Sequence, residues 1–162
     1  MLTEKDYCDY DTCVALKELG YDKPSNWGWH KHIRVSNEIL EKYPDLSEGG
    51  YQDLIWDGKH THDEVYKVYI EPLNLYSRNS LINDCETELC ACVHLYDAQK
   101  FLREEKKIIV NIDIDYNWYY GIYFSEGNTY SPQFSGGEFG SYEEALLEGV
   151  REAIKLLKEE RK

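Results

Sequence analysis

From Ile108 to Asp115 the side chains sort by parity, with Ile108, Val110, Ile112 and Ile114 on one side and Asn111, Asp113 and Asp115 on the other. Extended backbone sends successive side chains to opposite faces, so the run predicts a half-buried β-strand. Trp118 to Phe124 answers it, with Trp118, Tyr120, Ile122 and Phe124 aligned. The short Tyr116-Asn117 link between the runs predicts an antiparallel hairpin. A turn at Glu126-Gly127-Asn128 leads to a weaker third strand near 129–134, and Gly136, Gly137 and Gly140 read as a loose loop.

Helices flank this sheet. Ser141-Tyr142-Glu143-Glu144 has the form of a capping box, in which Ser141 accepts from the N3 amide and Glu144 reaches back to the cap amide. Leu146, Val150, Ala153, Ile154 and Leu157 then make one apolar stripe, with acids in the first turn and bases in the last, as the helix dipole prefers. Leu95, Ala98, Phe101 and Leu102 predict a helix over 94–106, and Cys13, Leu16 and Leu19 predict one over 10–19 that Gly20 closes. The expected fold is α+β: an antiparallel sheet of about three to five strands packed against the C-terminal helix.

Residues 1–162 suit one domain, with 25–93 as a long, aromatic-rich and partly irregular insertion. Within it, Trp27 to Val35 predicts a strand with Trp27, Trp29, Ile33 and Val35 inward and His30 and His32 on the solvated side. Ser36 caps a short helix ended by Pro44; Glu48-Gly49-Gly50 and Asp57-Gly58 read as turns; 65–70 reads as a strand and 73–83 as a loop.

The formal charge is −13, from 31 acids against 18 bases, and the excess is spread along the chain. Such a field repels phosphate backbones and anionic membranes and favours partners with a basic face, so nucleic acid is not an expected ligand. No stretch reaches the roughly 20 apolar residues of a membrane span, and the first residues carry no secretory pattern. Five cysteines in no small-scaffold framework suit a reducing compartment, so the cytoplasm is expected. The 15 Tyr, 4 Trp and 4 Phe argue for a folded chain, since disordered acidic chains are poor in rings.

The opening Leu16-Lys17-Glu18-Leu19-Gly20-Tyr21-Asp22, the Ala98-to-Glu104 helix, the Trp118-Tyr119-Tyr120 strand and the Ser141-to-Ala145 helix start resemble, in that order, a family of small uncharacterised α+β proteins of gut Bacteroidetes and their phages or prophages. The resemblance covers roughly the first 20 and last 70 residues, with a longer middle in this chain. It implies an accessory protein of mobile elements and carries over no catalytic residue. Helix, three strands, helix is also the order of double-stranded RNA-binding domains. Those need bases at the start of the last helix, where this chain has Glu143-Glu144.

Two constellations offer metal ligands. Cys85, Cys90, Cys92 and His94 fall within ten residues, but at awkward spacing for zinc; on a strand the last three share a face, which suits a ligand set or a packed core equally well. The pairs His30-x-His32 and His60-x-His62 each project to one face of extended backbone and, if converged, would hold a divalent cation with a carboxylate. Asp113-x-Asp115-x-Asn117 opens like a calcium loop, yet Trp118 and Phe124 stand where glycine and glutamate are required. Cys8 or Cys13 with a histidine base lacks any flanking signature of a nucleophile. The leading expectation is a non-enzymatic acidic protein without cofactor that binds another protein through Trp27, Trp29, Tyr51 and Trp56. The alternative is a zinc or small-ligand protein using the histidine pairs or the Cys/His cluster.

Overall fold

The two alternating runs pair as an antiparallel hairpin in the computed structural model, which describes residues 4–74, 87–126 and 129–160. After a 3-10 turn at Glu4–Asp6 come α1 (Tyr10–Glu18), β1 (Trp27–Val35), α2 (Asn37–Lys42), α3 (Glu48–Trp56), α4 (His62–Val65) and β2 (Tyr66–Asn74). The chain continues through β3 (Thr87–Ala91), α5 (Leu95–Glu105), β4 (Ile108–Ile114), β5 (Trp118–Glu126), β6 (Thr129–Phe139) and α6 (Tyr142–Glu160). The fold is α+β, and its described strands divide into two three-stranded antiparallel sheets, ordered β2-β1-β3 and β4-β5-β6. Two compact units result: a continuous one, Asn26–Cys90, and a split one built from Met1–Ser25 and Ala91–Lys162.

In the split unit α6 lies on β4 and β5. Gly149 faces Val110 and Tyr120 so closely that a Cβ added there would sit 2.5 Å from Val110 Cγ1. The anticipated stripes are the core: Leu95, Ala98, Phe101 and Leu102 of α5 and Leu146, Val150, Ala153, Ile154 and Leu157 of α6 are buried. Gln99 Nε2 donates to the Val110 carbonyl at 2.7 Å, fixing α5 to the edge strand. Arg151 ties α6 to α1, reaching the Asp9 carboxylate at 3.1 Å as well as Glu148. Gly20, at φ +98°, turns the chain out of α1 where a side chain would be strained.

Three details depart from expectation. The hairpin loop is Asp115-Tyr116-Asn117, one residue longer than anticipated, because Ile114 pairs directly with Trp118. The inward face of β4 fades along its length: Ile108 and Val110 are buried, Ile112 is half-buried and Ile114 is 53% exposed, so the strand outruns the helix that covers it. Gly136 and Gly137, expected in a loop, belong to β6, and Gly140 lies just beyond its end. Trp118 pairs with Phe139 and Tyr120 with Gly136, so Gly137 and Glu138 together oppose Tyr119 in a bulge. Glycine is needed at 136, where a Cβ would fall 2.8 Å from the Tyr120 ring.

Half of the capping box forms as expected: Glu144 N–H donates to Ser141 Oγ at 3.2 Å. The returning carboxylate overshoots the cap amide and accepts from Gly140 N–H at 3.1 Å. Ser141→Ala is expected to cost about 1 kcal/mol by orphaning the Glu144 amide, read as a lower urea midpoint with unchanged slope.

In the continuous unit the core gathers at one end of β1, where Val35, Ile39, Tyr51, Leu54 and Val65 pack together with Tyr43, Ile55 and Tyr66 against them. Ser36 caps α2 as anticipated, accepting from Ile39 N–H at 3.3 Å. Glu48-Gly49-Gly50, expected as a turn, is the first turn of α3. A helix start leaves its first amides without intrahelical partners in any case, so glycine is tolerable there. The faces of β1 are also corrected. His30, placed on the solvated side by its pattern, is buried, while Ile33, placed inward, is 44% exposed. Helices α2 to α4 cover the Val35 end and leave the rest of that face open. The expected loop over 73–83 is strand as far as Asn74, and 75–83 lies outside the described residues.

Candidate interaction surfaces

Of the four rings expected to anchor a partner, the structure places each differently. Tyr51 is a core residue whose hydroxyl donates to the Tyr43 carbonyl at 3.3 Å, which leaves no ring surface for docking. This corrects its assignment: its position one turn before Leu54 and Ile55 on α3 turns it into the unit. Trp27 and Trp29 are half-buried on β1. Trp56, the last residue of α3, is 79% exposed, with the exposed carboxylates of Asp53 and Asp57 on either side of it in sequence.

A second apolar surface lies on β1. Cross-strand register sets Trp29 opposite Pro72, Lys31 opposite Ile70 and Ile33 opposite Val68, so these side chains share one face of the β1–β2 ribbon. Val68 is 54% and Ile70 43% exposed. The other face is polar at the same level. Glu71 accepts from Arg34 Nε at 2.9 Å and Nη2 at 2.5 Å, and lies 2.7 Å from His32 Nε2. The Arg34 guanidinium stacks 3.9 Å from the centre of the Tyr69 ring. These bonds, Arg34 first, hold the Glu71 carboxyl below its ordinary range against the opposing effect of burial.

His60, His62 and His94, three of the candidate metal ligands, are engaged in local structure. His60 bridges Tyr43 Oη at 3.1 Å and Glu64 at 3.1 Å. Its partner His62 does not continue an extended strand, because Thr61 between them caps α4 in a complete capping box. His62 is exposed beside Asp63 and tilts against the Tyr66 ring. His94 is the N-cap of α5, its Nδ1 accepting from Tyr96 N–H at 3.2 Å. Cys90 and Cys92 are buried, and Cys85 lies outside the described residues. Among the described residues no group of three His, Cys, Asp or Glu is placed to hold a metal ion. Cys8 and Cys13 are buried, and the hydrogen bond with Cys13, followed by burial, pushes the Cys8 thiol well above its ordinary pKa. A thiol so protonated is a poor nucleophile.

One arrangement escaped the sequence reading. In the split unit five rings follow one another: Tyr7 meets His94 edge-on at 5.6 Å, and His94 stacks on Tyr96 at 5.2 Å. Tyr96 then stacks with Tyr142 at 6.1 Å, and Tyr142 meets Trp118 edge-on at 5.6 Å. The helix caps bring them together, since His94 and Tyr96 begin α5 and Tyr142 follows the Ser141 cap of α6. Tyr96 is 52% exposed, and the other four are half-buried. The available signal was an aromatic within two residues of each of two helix caps.

No helix among the described residues is long and apolar enough to cross a membrane. No family model, curated protein or solved structure matches the chain.

Proposed function

We propose that the chain is a non-enzymatic interaction protein that binds another protein bearing a basic face. The observation carrying this reading is Trp56: a large indole 79% exposed, with exposed Asp53 and Asp57 near it in sequence, on a chain of net charge −13. An exposed tryptophan is costly to solvate and is among the side chains that contribute most at interfaces. The open apolar face formed by Trp29, Ile33, Val68 and Ile70 adds area of the same kind. The surrounding acids would speed encounter with a basic partner over a Debye length of about 8 Å at physiological ionic strength, and the rings would hold the complex. The resemblance noted in the sequence makes an accessory role in a phage or prophage the setting for this reading.

Capture from a lysate of the source cell, with tagged protein as bait, tests it. Trp56→Ala is expected to weaken the captured partner at least about tenfold while leaving the melting midpoint unchanged, because the indole is a hot-spot group outside the core. Capture should also fall as salt rises from low to physiological strength. A partner retained equally by Trp56→Ala and at high salt would overturn the reading.

A further inference from the structure

We propose that the ring ladder Tyr7–His94–Tyr96–Tyr142–Trp118 is a binding site for arginine side chains of a basic peptide segment. The inference rests on the reading of a basic partner and names the group that partner inserts.

Three observations on the split unit support it. The ladder is a row of π faces with its middle ring, Tyr96, more than half exposed. A guanidinium is planar, weakly hydrated and charged, and stacks on such faces more readily than an ammonium does. Carboxylates accompany the row: Asp97 follows Tyr96, Glu143 follows Tyr142 and Asp6 precedes Tyr7. Their field reaches the rings, since Asp6 and Asp97 help to raise the Tyr7 hydroxyl, behind burial and Cys92, and Glu143 helps to raise Tyr142, behind burial and Tyr96. A negative field over π faces selects a cation and disfavours nucleobases, which would bring phosphates with them.

Structural duty does not use the whole row. The His94 cap needs only Nδ1, and the Ser141 cap needs only its own hydroxyl. Tyr96 is more than half exposed on α5, whereas Ala98, Phe101 and Leu102 of the same helix are buried.

Calorimetric titration of the full chain with three synthetic peptides tests the proposal: one of alternating arginine and glycine, one with lysine for arginine, and one with neutral citrulline for arginine. Citrulline keeps the planar shape and loses the charge. The arginine peptide is expected to bind about fivefold or more tighter than the lysine peptide, and the citrulline peptide not measurably. Tyr96→Ala should remove that arginine preference, and Tyr96→Phe should keep it, while Trp56→Ala leaves it intact. Equal affinity for the arginine and lysine peptides, unmoved by Tyr96→Ala, would overturn the ladder and leave the acidic-surface reading standing. Absence of binding by any peptide would also overturn it, whereas the acidic-surface reading is decided separately by salt-sensitive capture. The proposal holds if the preference disappears with Tyr96→Ala and persists with Tyr96→Phe.

Discussion

Phe101→Ala is expected to lower the stability of the split unit by about 3–5 kcal/mol. The ring is buried on the apolar face of α5, edge-on to Tyr21 at 5.3 Å, with Lys106 Nζ 5.5 Å above it. Truncation removes the transfer energy of a whole ring and leaves a hole walled by helices that are held elsewhere, by Gln99 on Val110 and by Arg151 on Asp9. Collapse into the hole is therefore limited, and the upper half of the range is the expected result. Hydrogen exchange in β4 and β5 reports this unit directly, and those amides should lose protection by two or more orders of magnitude. Unchanged protection there would show that Phe101 is not part of the core.

The second large effect comes from adding atoms. Gly149→Leu is expected to destabilise by about 3 kcal/mol or more, because overpacking forces helix and sheet apart. The first added carbon alone would lie 2.5 Å from Val110 Cγ1 and 3.1 Å from Tyr120 Cβ. Even Gly149→Ala should lose stability, although alanine favours a helix over glycine by about 1 kcal/mol. A cycle with Val110→Ala identifies the cause. If the clash is with that methyl, Gly149→Ala in the Val110→Ala background should cost less than in the parent, by a coupling of about 1 kcal/mol. Additive effects in urea denaturation would place the strain elsewhere.

These two sites illustrate what could be read from residues alone. Phe101 belongs to a helical stripe, and a stripe with period 3.6 has one apolar side to bury, so α5 and α6 were legible position by position. The closeness at Gly149 was not, because a glycine within a helix says nothing about what approaches it. Strand β1 exposes the limit of alternation. The pattern separates Trp27, Trp29 and Ile33 from His30 and His32, yet which side is covered depends on where α2 to α4 gather, and no local pattern encodes that. Glycine misled twice for one reason: turns favour it for its conformational freedom, whereas β6 uses it to admit the Tyr120 ring and α3 accepts it in an end turn. The ring ladder was hidden differently. Its members come from four separate parts of the chain, and those with a local role, His94 as ligand candidate, Trp118 as strand residue and Tyr142 as cap neighbour, showed nothing of the others.

The interruption of one unit by another sets a timetable for synthesis. Asn26–Cys90 is continuous and has all its residues once Cys90 is made, whereas the split unit that contains α1 is complete only when α6 exists. The Lys158–Glu18 ion pair, at 3.0 Å, joins residues 140 positions apart. At about 5–20 residues per second, α1 therefore waits several seconds on the ribosome after the continuous unit is fully made. Cys8 and Cys13, sealed in the finished protein, both bond to Val93, so they are expected to be open to solvent at least until that residue is made. Brief alkylation of stalled nascent chains should label both thiols at every length short of Val93 and neither in the released protein. Nascent chains are thus the stage at which an oxidant or electrophile would do this protein most harm.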